Sequence, residues 1–192
     1  MKDGSMTVLD AIKQRRSIRQ FLDRQVPEDA KQILIEALRW APSAGNLQSR
    51  KFYFVLNEDL KRKLASAVGN PGLIPKMKKI AKITLKRFHM IEAPLVIVAC
   101  MDRSIVQRYG ERGEHLYAIQ DVAVSIMSMM LAAHELGLGS LWLGAFNERA
   151  VVEALNLPGS HRPVAIIPVG YPMHIPAPPP RKQAEEVVQV IS

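Results

Sequence analysis

The chain has one cysteine, Cys100, in 192 residues. That excludes an internal disulfide framework and suits a reducing compartment. Its five histidines, at 89, 115, 134, 161 and 174, never fall at i, i+3 or i+4, and no Cys pair accompanies them, so no metal site is expected. There is no Walker-type phosphate loop. Gly137-Leu138-Gly139 begins like a dinucleotide fingerprint but lacks the third glycine at position 142 and follows a predicted helix. Pro42-Ser43-Ala44-Gly45 lacks the glycine two places before Ser that a hydrolase elbow needs. Cys100, at a strand end, reads as a small buried hydrophobe. The N-terminus carries Lys2, Asp3 and Asp10 and no apolar core, so no leader is expected and a cytoplasmic location follows. The richest apolar stretch, 122–133, is broken by Ser125 and Ser128 and is too short to span a bilayer, so no membrane segment is expected. The chain offers neither an acid–base dyad nor an activated nucleophile, a pattern suited to a protein whose cofactor carries the reaction.

What is present is basic. Lys and Arg number 26 against 18 acids, giving a net charge of +8 and a pI near 9.8. That balance favours anionic partners: nucleotides, phosphorylated cofactors or nucleic acid. Hydrophobic content of 48% and charged content of 23% are those of a soluble globular protein, and the length fits a single domain over 1–192.

Capping and periodicity predict a first helix from Thr7 to about Arg16, with Val8, Leu9 and Ile12 as its buried stripe. A second helix opens at Pro27-Glu28-Asp29 and buries Ile33, Leu34, Ala37, Leu38 and Ala41. Pro42 ends it, and a loop of small and amide-bearing residues runs to Gln48. Strands are predicted over 52–56 and 95–101, the second a continuous apolar run of a central strand. Asn57 caps a short helix carrying Leu60, Leu64 and Val68. After the break at Gly69-Asn70-Pro71-Gly72, the cationic segment 76–87 has helical spacing. It lacks the aromatic interleaving and broad apolar face of committed nucleic-acid or membrane binders, which favours a solvated or lid-like helix. A helix over 114–136, apolar nearly all round, must be buried in a core or a subunit interface. A short strand over 140–144 follows, then a helix capped by Asn147, then a strand over 164–171 whose proline suggests an edge or a terminus. The Pro-rich arm over 172–180 should be extended and lie on another surface.

The most charged short stretch is Arg15-Arg16-Ser17-Ile18-Arg19. Helical or extended, the chain places Arg15 and Arg19 on one side. Planar forks of N–H donors converging there would suit a phosphate. A solvated helix end complementing the helix dipole is the other reading of the same residues.

Four stretches, in order and at matching spacing, carry a resemblance: Arg15-Arg16-Ser17-Ile18-Arg19; Ala41-Pro42-Ser43-Ala44-Gly45-Asn46-Leu47-Gln48; Gly137-Leu138-Gly139-Ser140-Leu141-Trp142-Leu143-Gly144-Ala145-Phe146; and Val169-Gly170-Tyr171-Pro172. The chain resembles the FMN-dependent nitroreductase family over nearly its whole length. The resemblance implies an α+β fold, a mixed, mainly antiparallel sheet wrapped by helices, in an intertwined homodimer with two FMN sites at the interface. It makes the helix over 114–136 the central dimer helix, and it takes the arm over about 172–192 across to the partner subunit. It assigns Arg15, Arg16, Ser17 and Arg19 to the FMN phosphate, ribityl chain and pyrimidine edge, and returns Arg181 to the phosphate with Lys182 as a second candidate. Pro42, Ser43, Ala44, Asn46 and Gln48 would contact FMN from the other subunit. Trp142, Leu143 and Gly144 would lie along one flavin face, with a backbone N–H near Gly144 aimed at N5. Asn70 would be a further contact. Where the family often has Pro-Trp, this chain has Ser49-Arg50, a departure expected to bear on substrate preference.

The activity so implied is an FMN-dependent oxidoreductase. It passes a hydride from NADH or NADPH through flavin N5 to a nitroaromatic, quinone or other electron-poor acceptor in alternating half-reactions. The same fold could instead serve flavin reduction, dehalogenation or oxygen-using chemistry. A basic module binding nucleic acid through 15–19 and 76–87 is the competing reading of a different class. The expected partners are a second copy of the chain and a small-molecule acceptor, with no nucleic acid and no membrane.

Overall fold

The computed structural model describes residues 6–68 and 93–191. The segment 76–87, the break at 69–72 and Asn70 lie outside the described residues.

A four-stranded sheet runs in the order β1-β2-β4-β3, where β1 is Arg50–Val55, β2 is Leu95–Asp102, β3 is Gly139–Ser140 and β4 is His161–Gly170. Every strand pairing is antiparallel; an isolated parallel bridge from Ser17 to Ser140 adds the mixed character at the β3 edge. Alternate residues of β2 enter two separate cores. Leu95, Ile97, Ala99 and Met101 face helices α2 (Glu28–Arg39) and α4 (Ala118–Glu135), while Val96, Val98 and Cys100 face α3 (Glu58–Ala67) and α5 (Glu148–Leu155). Helices on both faces bury the strand twice, which is why it reads as an unbroken apolar run. Burial pushes the Cys100 thiol up to about 12, in keeping with a packing role.

Thr7 caps α1 (Val8–Gln14) through a reciprocal pair, its Oγ1 accepting from the Asp10 N–H at 3.1 Å and its own N–H donating to Asp10. The helix ends at Gln14, two residues before the expected stop, because Arg15 already has extended backbone (φ −53°, ψ 134°). Its expected stripe is not buried in the single chain. Val8, Leu9 and Ile12 are 72%, 56% and 50% exposed, and Ala11 is the residue that packs inward. On α2, Ala30, Leu34 and Leu38 are buried but Ile33 is exposed, since the contact with α4 is narrower than the apolar stripe. Pro27 stands at the N-cap of α2 rather than inside it.

α4 begins at Ala118, preceded by short helical turns and a single π-turn over Gly113–Tyr117. From Gly110 the helical stretch is long and apolar enough to cross a membrane, so length alone does not exclude that role. Its packing is that of a core helix: Val122, Ile126, Met129 and Ala133 are buried among β2, β4 and α2. The opposite side leaves Val124 and Met127 open.

Of the edge or terminus that the proline in β4 suggested, the edge is corrected, for the strand lies between β2 and β3, while Pro168 does stand near its C-terminal end at Gly170. Pro168 is tolerated there because of what it does to its neighbour. Its carbonyl accepts from Leu141 N at 3.2 Å, but it has no N–H to return the bond, so β3 stops at Ser140. The pairing resumes at Leu143, which exchanges two 2.9 Å bonds with Ile166 in the same register. The predicted strand over 140–144 is therefore a strand with a gap.

Candidate functional site

Residues 15–18 run along the β3 edge. Ile18 N donates to Ser140 O at 3.0 Å, and the Ile18 side chain is buried over Gly139. A Cβ on Gly139 would sit 2.4 Å from Ile18 Cγ1, so only glycine allows the approach. This anchor leaves Arg15, Arg16 and Ser17 half-buried. Arg16 Nη1 donates to the carbonyls of Lys13 at 2.7 Å and Arg15 at 2.9 Å, closing the end of α1. Arg15 Nε, Arg15 Nη1 and Arg16 Nε are enclosed and have no hydrogen-bond partner among the described residues. Burial, then the charges of Arg16 and Arg181, hold the Arg15 guanidinium below its ordinary pKa. Arg181 reaches this corner from the C-terminal arm, with Nη1 on the Pro179 and Pro180 carbonyls at 3.3 and 3.2 Å. Arg19 stands apart: it is exposed, with Nη1 3.4 Å from the Ser17 carbonyl. Lys182 is exposed on the arm. Buried cationic donors without an acceptor are costly, and an anion with several oxygens satisfies them. The donor set fits a phosphate.

The loop at 42–48 is a second preorganised feature. Its 3₁₀ turn, Ala44–Asn46, contains Gly45 at φ 54° and Asn46 at 55°, and Gln48 just beyond it is at 54°. Two non-glycine residues at positive φ need outside support, which the loop has. Ala44 N donates to Asp121 Oδ1 at 3.0 Å, and Gln48 N donates to Ser43 Oγ at 3.0 Å. Asp121 is a buried carboxylate on α4. Pro42, Asn46 and Gln48 are exposed, and Ser43 and Ala44 are half-buried. Arg50 supports the loop from below, with Nη1 on the Pro42 carbonyl at 2.9 Å and Nη2 on those of Arg39 and Ala41 at 3.1 and 2.5 Å. Its charge is turned onto the end of α2 rather than toward open space.

The third feature is the gapped edge. Leu143 faces β4 with both its N–H and its carbonyl, so the next N–H, that of Gly144, points away from the sheet. Gly144 is exposed, and a Cβ there would meet only Trp142 Nε1 at 3.9 Å. Trp142 is 37% exposed and Leu143 is buried. Beside them a cavity of about 190 Å³ is lined by Gly144, Phe146, Val164 and the paired Glu148 and Arg162.

These features do not all meet within one chain. The basic corner lies at the C-terminal end of α4 and the 42–48 loop at its N-terminal end. Asp121 and His134 mark the two ends, 13 residues or roughly 20 Å apart at 1.5 Å per residue. The roles of Asp121 and Arg50 were missed in the sequence. A lone acid in the apolar run 118–133 was a legible signal for the first; nothing local announces the second.

The model of the nitroreductase family matches residues 12–171. A Methanothermobacter thermautotrophicus protein, provisionally named NADH dehydrogenase/NAD(P)H nitroreductase, is 31% identical over 179 residues, spanning 91% of this chain and 82% of its own. A Bacillus subtilis protein named FMN reductase, NAD(P)H, is 26% identical over 191 residues, 94% of this chain and 72% of that one. Among solved structures, a Desulfovibrio desulfuricans nitroreductase of provisional assignment, in complex with FMN, superposes with a TM-score of 0.77. It is 26% identical and covers 100% of this chain and 99% of its own. A match of that reach, on a fold shared over the whole length, makes the chain a member of the nitroreductase family.

Proposed function

We propose that the protein is an FMN-dependent NAD(P)H oxidoreductase that reduces small electron-poor acceptors such as nitroaromatics or quinones. The observation that carries this reading is the set of enclosed, unpaired nitrogens on Arg15 and Arg16 beside Arg181. A flavin phosphate gives those donors their acceptor, and Arg15, Arg16, Ser17 and Arg181 are the residues that would hold it. Arg19, exposed beyond Ser17, would reach the ribityl chain or the pyrimidine edge. When bound, FMN supplies hydride acceptance from the nicotinamide and delivery to the acceptor at N5. The outward N–H of Gly144 is the donor suited to that nitrogen, and Trp142 and Leu143 would line the ring beside it. No described side chain is needed as a general base, in keeping with the absence of a dyad. The fixed carbonyls and amides of Pro42, Ser43, Ala44, Asn46 and Gln48 would close the site, excluding water and orienting the ring.

The separation along α4 bears on assembly. One chain cannot bring its own 42–48 loop and its own basic corner to one flavin, but a second copy with α4 antiparallel can. The open apolar residues support a homodimer: Val8, Leu9 and Ile12 on α1, Val124 and Met127 on α4, and Val187, Val188, Val190 and Ile191 on the arm. In this reading the single domain ends in an arm, about 172–192, that brings Arg181 to its own basic corner and carries its exposed apolar end onto the partner. Anaerobic addition of NADH or NADPH should bleach the purified protein, and a nitroaromatic or quinone should restore its colour. A flavin that neither nicotinamide reduces would refute the activity.

A further inference from the structure

His134 sits in the last turn of α4 and has no part in the reading above. Its Nε2 is enclosed and has no hydrogen-bond partner among the described residues. The other enclosed, unpaired side-chain nitrogens there are Arg15 Nε, Arg15 Nη1 and Arg16 Nε, so such atoms fall on three residues. The fold puts those residues around one corner. α4 ends at Glu135; Gly137 turns the chain at φ 72°, Leu138 N returns to Ala133 O at 2.8 Å, and Gly139–Ser140 then lies against Ile18. The last turn of α4 therefore flanks the strip that carries Arg15 and Arg16.

We propose that His134 is a ligand of the flavin phosphate, donating from Nε2, and that its imidazole takes up a proton when FMN binds. The proposal rests on the reading that FMN is held at residues 15–17. Burial, then the charges of Arg15 and Arg16, lower the His134 pKa and favour the neutral ring while no anion is present. A phosphate dianion among those groups reverses the sign of the local field and favours the imidazolium. Other charges are occupied or turned away. On α1, the Asp10 carboxylate accepts from the Thr7 N–H and hydroxyl; on α2, Glu28 and Glu36 pair with Lys31 and Arg39. Lys13 and Glu135 are exposed, and Arg181 acts on the corner through Arg15. A group whose pKa is raised by binding strengthens that binding as pH falls through the raised value. The effect is confined to FMN, because riboflavin brings no phosphate. The phosphate works in the opposite direction only below about pH 6, where it loses its second charge.

The test titrates the full-length chain with FMN and with riboflavin by calorimetry near neutral pH, in buffers of different ionisation enthalpy. The expected result is net proton uptake with FMN and none with riboflavin. Between about pH 6.5 and 8.5 the FMN dissociation constant should rise at least about threefold in the parent protein and stay flat in His134→Gln and His134→Phe. At the acid end both variants should bind FMN about tenfold more weakly and riboflavin unchanged. FMN binding without proton uptake, or with the same pH slope in both variants, would overturn the role of His134 and leave the flavin reading standing. No FMN binding by the parent chain at any pH would overturn both.

Discussion

A guanidinium nitrogen enclosed without an acceptor gives up hydration and receives nothing for it, and Arg15 Nε and Nη1 are in that position. Replacing Arg15 with Ala should therefore weaken FMN binding by about 1.5–3 kcal/mol, the range of a charge-assisted bond, in a flavin fluorescence titration. Arg19→Ala should cost less, since that side chain is exposed. Unchanged retention in both would return the cluster to surface charge. Arg50 illustrates the limit of reading residues singly. In the sequence it is an extra charge beside a binding loop; in the fold it donates to three carbonyls at the end of α2. Arg50→Ala should lower stability by about 1–3 kcal/mol in thermal unfolding while leaving the flavin spectrum in place. A retained melting temperature with an altered acceptor preference would favour the sequence reading. Asp102 makes a prediction about pH. Burial would raise its pKa, but two donors from Ser104 and the neighbouring His161 outweigh it and hold the carboxyl below its ordinary value. Its contribution to stability is present above the unfolded value near 3.9 and is lost as pH falls through the lower, folded value. Ser104→Ala should move the acid-unfolding midpoint, followed by circular dichroism, to higher pH.

At the scale of elements, what was legible was what depends on local chemistry. Thr7, Asn57 and Asn147 cap their helices as their side chains dictate, and the apolar run of β2 announced a strand covered on both faces. What was not legible depends on a partner in space. Val8, Leu9 and Ile12 have the right spacing for a buried stripe, but spacing cannot say whether the covering surface belongs to the same chain. Pro168 looked like the marker of an edge or a terminus. It instead truncates the neighbouring strand, because the missing N–H is felt across the ladder at Leu141. Gly139 lies close against Ile18 at the candidate site. Gly139→Ala should cost about 1–3 kcal/mol in denaturant unfolding and loosen FMN as the strip at 15–18 shifts. Gly159→Ala, where a Cβ meets nothing within 4 Å, should do neither.

For the whole molecule, the decisive fact is that its site-forming parts lie at opposite ends of α4. In the proposed dimer the chain supplies half of each of two sites, an assembly that would cover the apolar surface open on α1, α4 and the arm. Light scattering should give a mass twice the 21.4 kDa of one chain. The basic balance, +8 over the chain, serves in this account to hold a cofactor phosphate rather than a nucleic acid. The most direct test is the absorption spectrum of the purified full-length protein before and after incubation with FMN in moderate salt. The protein should be yellow and retain about one flavin per chain through desalting. A colourless protein that FMN cannot reconstitute would contradict the flavin reading.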